Sequence, residues 1–290
     1  MSNTAMNANR RGAIDGETLI FATPGDPVAQ MRLPSVMGPV FAALGINAVW
    51  LPLHVDRDGL SLVLQALRSV RNFKGITVAI PYKPVVAELI EGLSERARAA
   101  GAVNLVRLEP DGSLAGDMVD GLGFVRGLEM RGCSPKGAKA WLVGAGGAGA
   151  AIASALAQAG VDRLYLTEAN RARGAAVVER LRAHHRGCAI ELVATPPGPV
   201  DLAVNATPQG LKADDPLPFD PAGLAAETLV CDIIMKPKET PLLKAAQALG
   251  LKVHHGHHTL DCQIPMYLRF FGFAVPDERA IVALASDIAT

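Results

Sequence analysis

Ala138-Lys139-Ala140-Trp141-Leu142-Val143-Gly144-Ala145-Gly146-Gly147-Ala148-Gly149-Ala150 is the stretch whose reading decides the fold. An apolar run leads into three glycines spaced Gly-x-Gly-x-x-Gly, and the Ala-rich segment Ala150 to Ala157 follows at once. Strand, tight turn and helix is the natural reading. Gly144 lets the chain turn, Gly146 lets backbone approach a pyrophosphate, and Gly149 lets the helix pack closely on its sheet. The amide-rich start of the helix then faces an anion. Ala145, Gly147 and Ala148 complete the candidate cofactor loop. Glycines alone do not separate a dinucleotide site from a methyl-donor site, or from a turn that binds nothing.

Working outward, strands alternate with helices on both sides of the loop. Before it, strands are expected at 18–22, 48–53, 75–81, 103–108 and 114–116, with helices starting near Pro34, over 60–70 and over 84–100. After it, strands at 163–167, 190–193, 202–205, 229–234 and 251–253 alternate with helices over 171–183 and 240–249. Two apolar helices, about 259–271 and 276–288, close the chain. This alternation predicts an α/β protein with mostly parallel sheets. The organisation expected is a disordered leader over 1–15, an α/β substrate domain over 16–125, a Rossmann-type dinucleotide-binding domain over 126–255, and C-terminal helices over 256–290 that return to the substrate domain.

Composition narrows the partners. The 290 residues carry 28 basic and 28 acidic side chains, so the formal net charge is zero and no basic surplus points to nucleic acid. Half the residues are hydrophobic but only 4% aromatic, which suits helices packed on parallel sheets. No uncharged stretch reaches the length of a membrane span, and the polar start Met1 to Arg11 lacks the apolar core of a signal peptide. Cys133, Cys188, Cys231 and Cys262 lie far apart without a Cys-x-x-Cys pair, as expected of reduced thiols in a cytoplasmic protein. A monomer or homodimer acting on a small molecule is the expected form.

Glu168 ends the strand after the glycine loop, near the distance at which an acidic residue reaches the adenosine ribose. A carboxylate there accepts from both ribose hydroxyls and repels a 2′-phosphate, which favours NAD over NADP. Capping of the next helix is the other use for Glu168, and Arg171 and Arg173 stand close enough to receive a phosphate.

The chain also resembles the shikimate and quinate dehydrogenase family from about Phe21 to Phe273. The matching pieces are Gly25-Asp26-Pro27-Val28-Ala29, Ile80-Pro81-Tyr82-Lys83, Gly101-Ala102-Val103-Asn104, Gly116 to Gly121, Gly144 to Gly149, Asn205-Ala206-Thr207-Pro208-Gln209-Gly210, Thr240-Pro241-Leu242-Leu243 and Gln263. The resemblance implies hydride transfer between NAD(P) and a hydroxyl of an alicyclic polyol, shikimate or quinate by default. Lys83 and Asp120 match the catalytic pair, Asn104 and Gln263 match residues that bind substrate, and Thr207 and Met235 fall among the cofactor positions. The chemistry is consistent, because taking hydride from a secondary alcohol requires a base within hydrogen-bond reach of its proton. An unperturbed lysine, with a pKa of about 10.4, would need burial to serve at neutral pH. A catalytically idle NAD-binding sensor of the same fold is the alternative, and retention of both Lys83 and Asp120 argues against it.

The departures fall at the substrate. The family holds the substrate carboxylate with two serines in a segment like His-Ser-x-Ser-Pro, where this chain has Gln30-Met31-Arg32-Leu33-Pro34. Met31 and Leu33 thus replace both hydroxyls, Ala79 stands in for a threonine, and Met118-Val119 stands in for an Asn-Thr pair. Met235 occupies the place of a tyrosine, and His257-His258-Thr259 replaces a turn ending in methionine. Arg32 or His258 is a candidate replacement partner for a carboxylate. His254, His255, His257 and His258 could ligate zinc, but no carboxylate or cysteine stands at a familiar spacing and the resembled family needs no metal, so none is expected.

Overall fold

A computed structural model describes residues 14–29, 31–79, 81–212 and 214–288. Most of the expected leader, Gln30 of the altered segment and Ile80 therefore lie outside the described residues. The elements run β1 (Leu19–Gly25), α1 (Leu33–Leu44), β2 (Ala48–His54), α2 (Gly59–Arg68), β3 (Phe73–Thr77), α3 (Lys83–Glu88), β4 (Gly92–Leu93), α4 (Glu95–Ala100), β5 (Leu105–Leu108), β6 (Leu114–Asp117) and α5 (Asp120–Glu129). They continue β7 (Lys139–Val143), α6 (Gly147–Gln158), β8 (Arg163–Thr167), α7 (Arg171–His184), β9 (Ala189–Leu192), β10 (Leu202–Asn205), β11 (Leu229–Asp232), α8 (Pro241–Ala248), β12 (Lys252–His254), α9 (His257–Phe270) and α10 (Glu278–Asp287).

The chain forms two compact units, one of residues 1–92, 104–116 and 264–290, the other of 93–103 and 117–263. The first is built on a six-stranded sheet in the order β2-β1-β3-β5-β6-β4. β1 runs parallel to β2 and β3, but β3 pairs antiparallel with β5, so this sheet is mixed where a mostly parallel one is expected. β5 runs back along β3 with Leu105 opposite Thr77, so the chain enters β5 beside the end of β3. Phe21, Phe41 and Trp50 pack with Phe271 and Phe273, with Phe21 and Trp50 stacked at 5.0 Å. Few aromatics, concentrated in one place, supply a large share of this core.

The second unit carries six strands in the order β12-β11-β10-β7-β8-β9, with every recorded pairing parallel. Its order reverses at β7, so the glycine loop after that strand stands at the switch point of a doubly wound sheet. Leu142, Leu156, Leu164, Ala203 and Val204 are buried on its two faces.

Two local expectations change. The helix expected over 84–100 is two short helices, because Gly92 pairs as part of β4 and Ser94 caps α4, its Oγ accepting from the Ala97 amide at 3.1 Å. α5 is an additional helix: its glycines hide it from propensity, yet a Cβ on Gly121 or Gly123 would collide with Ala151 or Gln263. Close packing therefore selects glycine there. All four cysteines are free, and no helix among the described residues is long and apolar enough to cross a membrane.

Candidate active site

In the first unit the singled-out residues gather at one end of the sheet. β1 and β3 are parallel, so Met31 and Leu33, which follow β1, and Ala79 and Lys83, which follow β3, all leave from the carboxyl ends of their strands. The antiparallel start of β5 brings Asn104 to the same end, where its carbonyl accepts from the Val78 amide at 2.8 Å. Asn104 is 2% exposed and its Nδ2 faces the Tyr267 hydroxyl at a long 3.5 Å. Lys83 opens α3 half-buried, next to a buried Tyr82 whose hydroxyl donates to the Val55 carbonyl at 2.7 Å. Beneath them Thr23 and Thr77 hydroxyls lie 2.6 Å apart and Trp50 Nε1 donates to Thr23 at 2.8 Å, a buried polar network that fixes the strand ends. Leu33 is buried and Met31 half-buried. Arg32, a candidate carboxylate partner, donates instead to the Ala285 carbonyl of α10 at 2.8 Å, which ties α1 to the chain terminus.

The second unit presents the cofactor candidates in the same way. Gly144 has φ +101°, and a Cβ there would press on the Ala206 backbone. At Gly149 a Cβ would collide with the Gly144 carbonyl, so the helix start sits directly on the turn. Gly146 is different: nothing lies within 4 Å of the direction its Cβ would take. It is the N-cap of α6, no side chain caps that end, and no acidic residue stands in the first turn. An open backbone approach at an uncapped helix N-terminus fits a pyrophosphate. Ala145, Gly147 and Ala148 lie in the same loop, while Thr207 and Met235 follow the carboxyl ends of β10 and β11 in a parallel sheet. The Asn205 carboxamide accepts from both the amide and the hydroxyl of Thr207 and donates to Asp232 at 3.2 Å, and Asp232 accepts from the Thr240 hydroxyl at 2.8 Å. Burial pushes the Asp232 carboxyl up against these opposing hydrogen bonds. Asp232 and Thr240 were missed as supports for this loop, although Asn205 followed by a threonine two residues on is the signal of such a turn.

Glu168 does not stand ready as a lone ribose clamp. Its carboxylate accepts from the Ala145 amide at 2.8 Å, the Asn170 amide at 2.9 Å and Arg173 Nη2 at 2.5 Å, and its side chain is 3% exposed. Burial opposes its ionisation, but the bonds from Arg173, Asn170 and Ala145 outweigh burial and hold its pKa below the ordinary value. Paired with Arg173, it no longer presents an unopposed negative charge to a 2′-phosphate, and Arg171 is exposed at the first position of α7.

Asp120 opens α5, 7% exposed, and accepts from Gln263 Nε2 at 3.1 Å. The turn before it is locked by Asp117, which accepts from Ser94 Oγ and Arg96 Nη2, each at 2.5 Å, and from the Met118 amide at 2.8 Å. Met118 and Val119 are buried. At the turn into α9, Asp261 supplies the carboxylate that the sequence reading did not find near the histidines: it stands one helical turn after His257 and His258. His258 Nδ1 lies 4.0 Å from Asp261 Oδ2, and burial pushes the pKa of His257 down to about 4 and of His254 to about 3.

Residues 24–106 match the family model of the shikimate dehydrogenase substrate binding domain. A shikimate dehydrogenase (NADP(+)) of Rubrobacter xylanophilus is 41% identical over 244 residues, covering 82% of this chain and 85% of the relative. A quinate dehydrogenase from Corynebacterium glutamicum, solved with NAD, superposes with a TM-score of 0.81 at 29% identity, covering 93% of this chain and 99% of that one. A 5-ketofructose reductase of a Gluconobacter strain superposes with a TM-score of 0.81 at 25% identity, covering 94% of this chain and 100% of that one.

Proposed function

The chain belongs to the shikimate dehydrogenase family as an NAD(P)-dependent dehydrogenase, and from that premise we propose that it uses NADP and accepts alicyclic or related polyols whose carboxylate is weakly held or absent. The observation that carries the substrate reading is the pair Met31 and Leu33 at the carboxyl end of β1, where neither side chain can donate a hydrogen bond. Two lost bonds to a charged group, at roughly 1.5–3 kcal/mol each, amount to about 10²- to 10⁴-fold in affinity. The 5-ketofructose reductase supports this reading, since that ketose has no carboxylate.

In the proposed mechanism, Lys83 takes the proton from the reacting hydroxyl, Asp120 accepts a hydrogen bond that orients the reacting groups, Gln263 holds Asp120 through its amide, and Asn104 binds a ring hydroxyl. The Gly144–Gly149 loop and the start of α6 hold the pyrophosphate, Thr207 and Met235 flank the cofactor, and Ala79 leaves room where a hydroxyl would otherwise stand. The bound dinucleotide accepts or supplies hydride. NADP replaces the expectation of NAD, because Glu168 is paired with Arg173, Arg171 is exposed at the start of the next helix, and the shikimate dehydrogenases of Rubrobacter xylanophilus and Rhodospirillum rubrum are NADP(+) enzymes.

Initial rates with NADP and NAD separately, using shikimate, quinate and carboxylate-free cyclic diols, test both points. The expected result is higher kcat/KM with NADP and a diol rate comparable to or above that of shikimate. Micromolar KM for shikimate with no diol turnover would overturn the substrate reading. Cofactor binding without any alcohol-dependent reduction would mark a sensor instead.

A further inference from the structure

Four imidazoles crowd the turn between β12 and α9, and the dehydrogenase chemistry above uses none of them. His257 and His258 ring centroids are 3.9 Å apart, His254 and His258 5.1 Å, and His255 lies 5.6 Å from His257. His254 is 2% exposed, and its Nε2 has no hydrogen-bond partner among the described residues. The same is true of the buried Nδ1 of His258. Its gap of 4.0 Å to Asp261 Oδ2 is too long for a hydrogen bond and too short to hold a water between them. Buried polar nitrogens left in this state cost stability, so each calls for an explanation.

The ligand atoms of His257, His258 and Asp261 all lie within 4.8 Å of one another. The arrangement follows from helix geometry, since residues three and four apart share a face and Asp261 is fourth after His257 and third after His258. Around a tetrahedral zinc with bonds of about 2.0–2.1 Å, ligand atoms sit about 3.3 Å apart, so the His258–Asp261 gap would close by less than an ångström. His255, outside this set, pairs its Nε2 with Glu239 Oε1 at 2.7 Å.

We propose that the first turn of α9 binds one divalent transition-metal ion of the zinc class through His257 Nδ1 or Nε2, His258 Nδ1 and an Asp261 carboxylate oxygen. Two imidazoles and a carboxylate select zinc, cobalt or nickel over magnesium and calcium. Three protein ligands leave a fourth position for water or for a neighbouring histidine. The ion's role is structural: it fixes the start of α9, whose next turn carries Gln263 to Asp120.

The test uses the full chain, stripped with a chelator, and zinc chloride or cobalt chloride alone as the probe. One equivalent is expected to bind with micromolar or tighter affinity, measured by competition with a chromophoric chelator, and to raise the unfolding temperature. Cobalt is expected to show visible ligand-field bands without sulfur charge-transfer absorption. His258→Gln and Asp261→Asn, close in size to the originals, are expected to weaken binding by at least roughly 100-fold, since losing a ligand costs no less than losing an outer-shell partner. Absence of binding at millimolar zinc would overturn the proposal. So would one-equivalent binding left unmoved in His257→Gln, His258→Gln and Asp261→Asn, or a thiolate spectrum pointing to Cys262. The wild-type cobalt spectrum needs no variant, so a substitution that fails to fold leaves the test intact.

Discussion

Glu168 and Met31 show what a single residue's surroundings do to its meaning. Glu168 is chemically suited to a ribose, but three inward hydrogen bonds make it a brace of the glycine loop. Because its folded pKa is held below the unfolded value of about 4.3, its contribution to stability is fully present above that value and is lost as pH falls through the folded pKa. Glu168→Gln is therefore expected to destabilise the protein by about 1–3 kcal/mol near neutrality, with the difference from wild type shrinking on acidification. Thermal unfolding from pH 7 down to pH 3 measures it, and a pH-independent difference would contradict the assignment. At Met31 and Leu33 the expectation runs the other way: the double change to serine should lower KM for shikimate by at least about 10-fold, a fraction of what two charged-group hydrogen bonds are worth, and steady-state kinetics reads this directly. Residue identity was legible at both sites. The partners were not, because what Glu168 bonds depends on backbone amides that only the folded loop brings near.

Element by element, the glycine loop was the most legible feature, since Gly144 and Gly149 act on neighbours in sequence and on the next strand of a regular sheet. The strands following it were found for the same reason, their apolar runs being nearly continuous and buried on both faces. α5 was hidden because the glycines that let it lie against α6 are the residues that lower helix propensity. The break at Gly92 and Ser94 was hidden by apolar periodicity that carries straight through it. Gly121→Ala tests the packing explanation. A Cβ would meet the Ala151 carbonyl and Ala155, so despite alanine's better propensity the variant is expected to lose about 1–3 kcal/mol, measured by denaturant unfolding. A gain in stability would show that helix propensity, not close approach, governs this position.

At the scale of the whole molecule, two sheets of different character each gather candidate site residues at the carboxyl ends of their parallel strands. The first carries Lys83, Asn104 and the altered Met31–Leu33 segment, and the second carries the glycine loop, Thr207 and Met235. Family membership was legible because many short pieces recur in order, whereas the pairing of Glu168 with Arg173, on which the proposed NADP preference rests, was not. Arg171→Ala is expected to raise KM for NADP several-fold, consistent with loss of one charge-assisted bond, while leaving NAD unchanged. The central claim is that the dinucleotide is held in order to move hydride, with Lys83 at the proton. Its most direct test is the alcohol-dependent reduction of NADP by wild type and Lys83→Ala, beside the cofactor dissociation constant of each. The expected result is a fall in kcat/KM of roughly 10²- to 10⁴-fold with cofactor binding unchanged. A variant that turns over within a few-fold of wild type would contradict it.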